Sequence, residues 1–315
     1  VDKKDYTGGI SVSYNIKYDE LSHRLKLEGI ELNNLVTQLK APLSVILQIT
    51  RNCHFNCEFC SEKDSMLDPT LDELKKYAEH LKNVPRVFLS GGEPLTRSDF
   101  KEVVDIFKEG HILGLPTNAI ASEKNLEIIK ANHISVNVGL DGPRAITSRV
   151  RGDYDFIMRG VKGFIKNDIP FSFTAVVLRS TMDSVLYTCQ MADALGARKM
   201  KFVLPIPKGN ALKLDKDEFI TDEEANDLCG QIAEAKLKYG WKTTYTFTTW
   251  NKKTDGYSIL VYPNGKVYAW PAINYPDKVL PLGDLHVDSI EDIWKIYPYK
   301  ENHVNKYLGN GVKVI

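Results

Sequence analysis

Between Leu43 and Leu204 short apolar runs alternate with longer amphipathic segments. Each pair takes about 25–35 residues, the period of βα units wound around a parallel sheet. The pattern predicts strands over 43–49, 86–90, 111–116, 134–140, 171–177 and 201–204. It predicts helices near 70–82, 98–109, 122–131, 154–166 and 182–195. Six such units in succession imply an α/β fold, a partial (βα)6 barrel over 41–205 whose site lies on the loops at the C-terminal ends of its strands. The rhythm breaks at the turn-rich Pro205-Ile206-Pro207-Lys208-Gly209-Asn210. A helix over 221–239 follows, opened by a capping box of Thr221 and Glu224. Short strands, aromatic residues and turns come next, with a hairpin at Pro263-Asn264-Gly265-Lys266 and a last helix near 289–296. Residues 206–315 therefore read as a small α+β C-terminal extension. Ahead of the barrel, Ile10 to Ile16 alternates like a strand, with Leu25-Lys26-Leu27 as its partner, and Glu31 to Lys40 reads as a short helix stopped by Ala41-Pro42. Residues 1–40 are thus a cap or a docking arm.

Composition narrows the class. The 315 residues carry 41 basic and 41 acidic side chains, so no global field draws in nucleic acid or an anionic membrane. No apolar run approaches the roughly 20 residues that span a bilayer, and Val1-Asp2-Lys3-Lys4-Asp5 lacks the hydrophobic core of a signal peptide. Five cysteines, three of them clustered, fit a reducing compartment better than a disulfide framework. The expectation is a soluble cytoplasmic protein.

The cluster is Cys53-His54-Phe55-Asn56-Cys57-Glu58-Phe59-Cys60, directly after the first barrel strand. Thiolates this close on one loop can converge on a soft metal centre. A [4Fe–4S] cluster on three cysteines keeps one iron open to a ligand that is not protein. A closed structural zinc site is the alternative, but it needs a fourth ligand, and His54 beside Cys53 is strained for that role. At the end of the second strand stands Gly91-Gly92-Glu93-Pro94. Two glycines there allow backbone to approach a ligand closely, and Glu93 suits a positively charged amine; a plain tight turn is the alternative.

Taken together, Cys-x3-Cys-x2-Cys after one strand and Gly-Gly-Glu-Pro after the next resemble the radical S-adenosylmethionine superfamily. The resemblance covers about residues 43–205. It implies one [4Fe–4S] cluster on Cys53, Cys57 and Cys60, with S-adenosyl-L-methionine on the open iron. Gly91, Gly92, Glu93 and Pro94 would line the methionine amine, and Phe59 would pack beside the adenine. Thr117-Asn118 resembles the family's Thr-Asn-Gly, with Ala119 in place of glycine. Leu140-Asp141-Gly142-Pro143 and Val150-Arg151-Gly152 resemble peptide-modifying members. In those a serine precedes the Leu-Asp-Gly and helps hold the ribose. This chain has Gly139, so Asn118 or Asn137 is the replacement candidate, while Arg151 is a candidate for the methionine carboxylate. Residues 262–268 and 282–294 resemble a SPASM-type extension, but Trp270 stands at the position of a cluster cysteine and no cysteine follows Cys229.

The resemblance implies that an electron from a flavodoxin- or ferredoxin-type donor cleaves S-adenosylmethionine and that the resulting 5′-deoxyadenosyl radical abstracts hydrogen from substrate. By analogy the substrate is a ribosomally made peptide. A small molecule (sugar, cofactor precursor or lipid) and a non-catalytic iron–sulfur protein are the alternatives. Without auxiliary cysteines redox-neutral outcomes such as epimerisation, rearrangement, addition or hydrogen return from a thiol become more attractive than a net oxidation, with Cys189 or Cys229 a candidate hydrogen donor or else a small buried hydrophobe. An open cluster should be oxygen-sensitive.

Overall fold

The computed structural model describes residues 15–19, 24–28, 35–62, 65–272, 279–307 and 312–315. Along the chain come β1 (Asn15–Asp19), β2 (Arg24–Glu28), α1 (Leu35–Gln38), β3 (Ser44–Thr50), α2 (Leu71–His80), β4 (Arg86–Gly91), α3 (Phe100–Phe107) and β5 (Ile112–Thr117). Next are α4 (Leu126–Ala131), β6 (Ser135–Gly139), α5 (Arg144–Val150), α6 (Tyr154–Lys166), β7 (Phe171–Val176), α7 (Val185–Ala194) and β8 (Lys199–Val203). The remainder forms α8 (Asp222–Tyr239), β9 (Thr244–Thr248), β10 (Ser258–Val261), β11 (Lys266–Trp270), β12 (Gly283–Asp284), α9 (Ile290–Ile296), α10 (Lys300–Tyr307) and β13 (Val312–Val314).

Two-residue alternation gives the sheet its two faces. Val45, Leu47 and Ile49 of β3, Val136 and Val138 of β6, Phe171 and Phe173 of β7 and Met200 and Phe202 of β8 all enter one apolar layer with the helices. The residues between them, among them Gln48, Asn137, Thr174 and Lys201, therefore face the other side, the bore. Helices close the outer layer with one face each; α3 buries Phe100, Val103, Val104 and Phe107, worth about 1.5–3 kcal/mol per side chain. The sheet order is β12-β11-β10-β3-β4-β5-β6-β7-β8-β9-β13. From β10 to β9 all neighbours run parallel, so the six expected strands are continued on both sides by strands from beyond residue 205. β10 and β9 do not pair, and the barrel stays open.

The pattern missed two helices. α5 has only seven residues between Pro143 and Gly152, too few for a helical period to emerge, and α10 buries little besides His303 and Val304. α10 sits at the N-terminal ends of the strands: Leu43 N donates to His303 Nε2 at 2.9 Å and the Tyr307 hydroxyl bonds to Ser44 Oγ. The expected hairpin turn forms between β10 and β11, with Gly265 at φ 75°. β1 and β2 pair antiparallel, while the parts of the N-terminal expectation over 10–14 and 31–34 lie outside the described residues.

Candidate active site

Three distant segments hold the cysteine loop. At its start the Asp68 carboxylate accepts from Thr50 Oγ1 (2.9 Å), Arg51 N (3.2 Å) and Asn52 Nδ2 (3.2 Å). At its end Glu58 N donates to the Val150 carbonyl at 2.9 Å, and Asn210 donates to the carbonyls of Cys57 (3.0 Å) and Cys60 (2.8 Å). A Cβ on Gly152 would lie 2.4 Å from the Phe55 ring, so the glycine of Val150-Arg151-Gly152 serves to seat this loop. Cys53, Cys57 and Cys60 are free and half-buried. Cys53 Sγ accepts from Phe55 N at 3.4 Å and from Asn118 Nδ2 at 3.8 Å, bonds that favour a thiolate. Burial pushes the Cys57 thiol up to about 12, against the pull of Arg151. Among the described residues no three His, Cys, Asp or Glu side chains close on a single ion. A four-iron cluster does not require that, because each cysteine binds a different iron.

The Gly-Gly-Glu-Pro segment does different work from that expected. A Cβ on Gly91, at φ 140°, would lie 2.0 Å from the Thr50 carbonyl oxygen, and one on Gly92 would lie 2.3 Å from that of Asn52. The glycines thus admit the chain that leads into the cysteine loop, and Gly92 N and Glu93 N donate to it at 2.8 and 2.7 Å. Glu93 is 1% exposed. Its carboxylate accepts from Leu95 N (3.1 Å), Thr117 Oγ1 (2.7 Å) and Asn118 N (2.6 Å). Burial raises its pKa to about 7 against these three bonds. Glu93 therefore braces β4 against β5, with Pro94 buried in the turn that follows. Thr117 and Asn118 are spent in the same brace: Thr117 Oγ1 accepts from Ala119 N at 2.9 Å and Asn118 Oδ1 from Ile120 N at 3.0 Å. Ala119 takes φ 64°, the left-handed conformation for which the family pattern has glycine.

Arg151 explains Gly139. Its guanidinium donates through Nε (2.5 Å) and Nη2 (3.1 Å) to Asp141, and lies 5.1 Å over the Phe59 ring. A Cβ on Gly139 would come within 2.2 Å of Arg151 Nη1, so Arg151 fills the space that a serine side chain would use. The carboxylate that Arg151 pairs with here is Asp141 of the chain itself. Phe59 packs with Val150 and Leu178, one ring face beneath the guanidinium. Asn137, on the bore face of β6, accepts from Thr174 Oγ1 at 2.7 Å. Cys189 and Cys229 stand apart, both buried in the outer helix–sheet layer on the far side of the sheet from the bore. That placement removes them as hydrogen donors to a substrate in the bore. Tyr245 and Phe247 face the same outer layer.

Other groups at the mouth carried no sequence signal. Glu62 pairs with Arg51 at 2.8 Å and with Lys208, and accepts from Gln48 Nε2 at 3.1 Å. Lys208 Nζ donates to the Tyr262 hydroxyl at 3.0 Å and lies 5.5 Å from the Trp270 ring centroid. These residues come from four separate segments with no shared spacing. Gln48 Oε1 and Thr248 Oγ1, both buried, have no hydrogen-bond partner among the described residues. A buried acceptor without a donor at the mouth is where a bound molecule completes the bonding.

The open parallel barrel thus carries three half-buried thiols on the loop after β3, at the C-terminal mouth of the sheet where folds of this kind place their sites. Residues 47–192 match the model of the Radical SAM superfamily. The chain is 25% identical over 195 residues to an AdoMet-dependent heme synthase of Methanosarcina barkeri, covering 58% of this chain and 56% of that protein. It is 30% identical over 188 residues to a PqqA peptide cyclase of Bradyrhizobium diazoefficiens, covering 55% and 49%. The chain thus spans about half the length of these curated relatives. Its fold is similar to that of Streptococcus suis SuiB bound to the precursor peptide SuiA, with TM-score 0.70 and 14% identity over 85% of this chain and 68% of that one. The superfamily's cofactors are a [4Fe–4S] cluster and S-adenosylmethionine. Three free thiols, N–H donors to one sulfur and an orphaned acceptor on β3 fit that pair.

Proposed function

We propose that the protein is a radical SAM enzyme that abstracts hydrogen from a peptide and modifies it. The observation that carries the radical chemistry is the trio Cys53, Cys57 and Cys60, free on one braced loop at the barrel mouth. When bound, the cluster supplies the electron that cleaves S-adenosylmethionine. The chain's own residues hold and shield: Asn118 and Phe55 N support Cys53, Glu93 fixes Asn118, and Arg151 with Asp141 sets positive charge beside Cys57. The likeness of the fold to that of SuiB supports a peptide substrate. A second reading, a small molecule with a charged group, is favoured by lysines inside the bore, Lys201 above all.

Anaerobic reconstitution followed by metal counting and addition of dithionite with S-adenosylmethionine tests the chemistry. About four irons per chain and release of 5′-deoxyadenosine are expected. One zinc and no cleavage would sink the enzyme reading. For the substrate, a peptide encoded beside this gene, made with deuterated residues, should pass deuterium to 5′-deoxyadenosine. No transfer from any such peptide would reject the peptide reading.

A further inference from the structure

Lys201 lies in the middle of β8, between Met200 and Phe202, which enter the outer core. Alternation therefore turns it into the bore. Register fixes its neighbours. Gly139 pairs with Thr174, Thr174 with Lys201, and Lys201 with Thr246, so these four form one row across the inner wall, a row that the tilt of the strands sets obliquely to the barrel axis. Gly139 is the residue against which Arg151 of the mouth rests. Lys201 is two strand spacings along that wall, about 10 Å, from the edge of the cofactor site.

Lys306 comes from α10 at the opposite end of the barrel, near enough to Lys201 for the two charges to repel. Its Nζ donates to Ser258 Oγ at 2.6 Å and lies 4.9 Å over the Tyr257 ring. Both side chains are half-buried. Neither forms an ion pair among the described residues. The charges that act on them are those of other cations: Lys199 on Lys201, and Lys201 and Arg86 on Lys306. Burial, with these like charges, holds Lys201 at about 8 and Lys306 at about 7. A half-buried ammonium with no carboxylate partner is costly until a counter-charge arrives.

We propose that the bore contains an anion-binding subsite, built on Lys201 and Lys306, that receives a carboxylate or phosphate group of the substrate. The proposal rests on the radical SAM reading of the mouth for its claim that the anion belongs to a substrate. The subsite lies below the cofactor end and orients the molecule with its charged group down the barrel and its reacting carbon toward the mouth. Thr174 and Thr246, level with Lys201 on either side, offer hydroxyls to the same group.

Calorimetric titration of the anaerobically reconstituted protein, at fixed ionic strength, tests this with inorganic pyrophosphate in one arm and glutarate in the other. Saturable binding of at least one is expected, and the tighter arm tells phosphate from carboxylate. Lys201→Met and Lys306→Met should each weaken it by roughly tenfold or more, and Lys201→Arg should retain most of it. Lys201→Met should also melt higher than the wild type without anion, an effect that a lysine serving only structure would reverse. No saturable binding of either probe, or binding unchanged in both Met variants, would overturn the proposal. If one Met variant does not fold, the other and Lys201→Arg still decide it. Release of 5′-deoxyadenosine from the same sample separates the two ideas: cleavage without anion binding removes the subsite alone, and binding without cleavage removes the enzyme reading.

Discussion

The packing of Arg151 against Gly139 makes a sharp prediction for Gly139→Ser, a change toward the family pattern. The new Cβ would lie 2.2 Å from Nη1, 2.5 Å from Cζ and 3.1 Å from Nε of Arg151. A flexible arginine would normally step aside at little cost. Here it is held by two bonds to Asp141, whose side chain is fully buried, and by the Phe59 ring beneath it. Moving the guanidinium leaves the Asp141 carboxylate with Val176 N, at 2.9 Å, as its remaining bond. Breaking a buried pair in this way costs about 3–5 kcal/mol, and partial relaxation of the arginine brings the expected loss to about 3 kcal/mol. A double-mutant cycle with Arg151→Leu isolates the cause. With the arginine removed, the three atoms that lie nearest a Cβ at 139 are gone, so a coupling of about 2 kcal/mol is expected between the two changes. Denaturant unfolding of all four proteins under reducing conditions measures it. If Gly139→Ser unfolds within about 0.5 kcal/mol of the wild type, or the two single effects add within that margin, the reasoning fails.

Three further outcomes follow from groups already described. Lys201→Met should stabilise the protein at pH 7 by up to about 3 kcal/mol, because holding the ammonium at about 8 instead of 10.5 has that cost at 1.36 kcal/mol per tenfold. Above about pH 8 the folded state sheds this proton before the unfolded state does, so wild-type stability should rise toward pH 10.5 relative to the variant; equal pH profiles in thermal melts would contradict it. Glu93→Gln replaces an acceptor of three bonds with a group that turns one N–H against a donor, costing about 2 kcal/mol, and should loosen Asn118 and iron retention together; unchanged iron content would argue against the brace. Alanine at Cys53, Cys57 or Cys60 should abolish iron binding, whereas Cys189→Ala should leave the iron count and the yield of 5′-deoxyadenosine unchanged, both read by metal analysis and chromatography.

Much of the fold was legible because its signal is local. β3 to β8 fall within about two residues of their expected limits, since each alternates or runs apolar over a stretch bounded by turn residues. The cysteine trio was equally legible, being a spacing within one loop. What the sequence hid were meanings that depend on a partner far along the chain. Gly91 and Gly92 look like a ligand cradle until Thr50 and Asn52 are seen against them. Gly139 looks like a lost ribose contact until Arg151 is seen in its place. Lys201 carried a usable signal, a lysine on the bore side of Lys199-Met200-Lys201-Phe202, but only the direction of the barrel turns that parity into a location.

The polar groups of the inner wall divide into two sets, and the division separates scaffold from recognition. Glu93, Thr117, Asn118, Asp141 and Arg151 all match family motifs, and all bond chiefly to one another or to nearby backbone. A group so committed holds a loop in place and has little left to offer a variable ligand. Gln48 Oε1 and Thr248 Oγ1 match no motif and lack a partner among the described residues. Native interiors rarely keep such groups unless a bound molecule completes them. On the proposed reading the motifs place the cofactor end, and the residues between them are left for the substrate. Exchanging Gln48, Lys201 or Lys306 should therefore alter what the barrel binds while leaving iron content intact, and exchanging Glu93 should do the opposite.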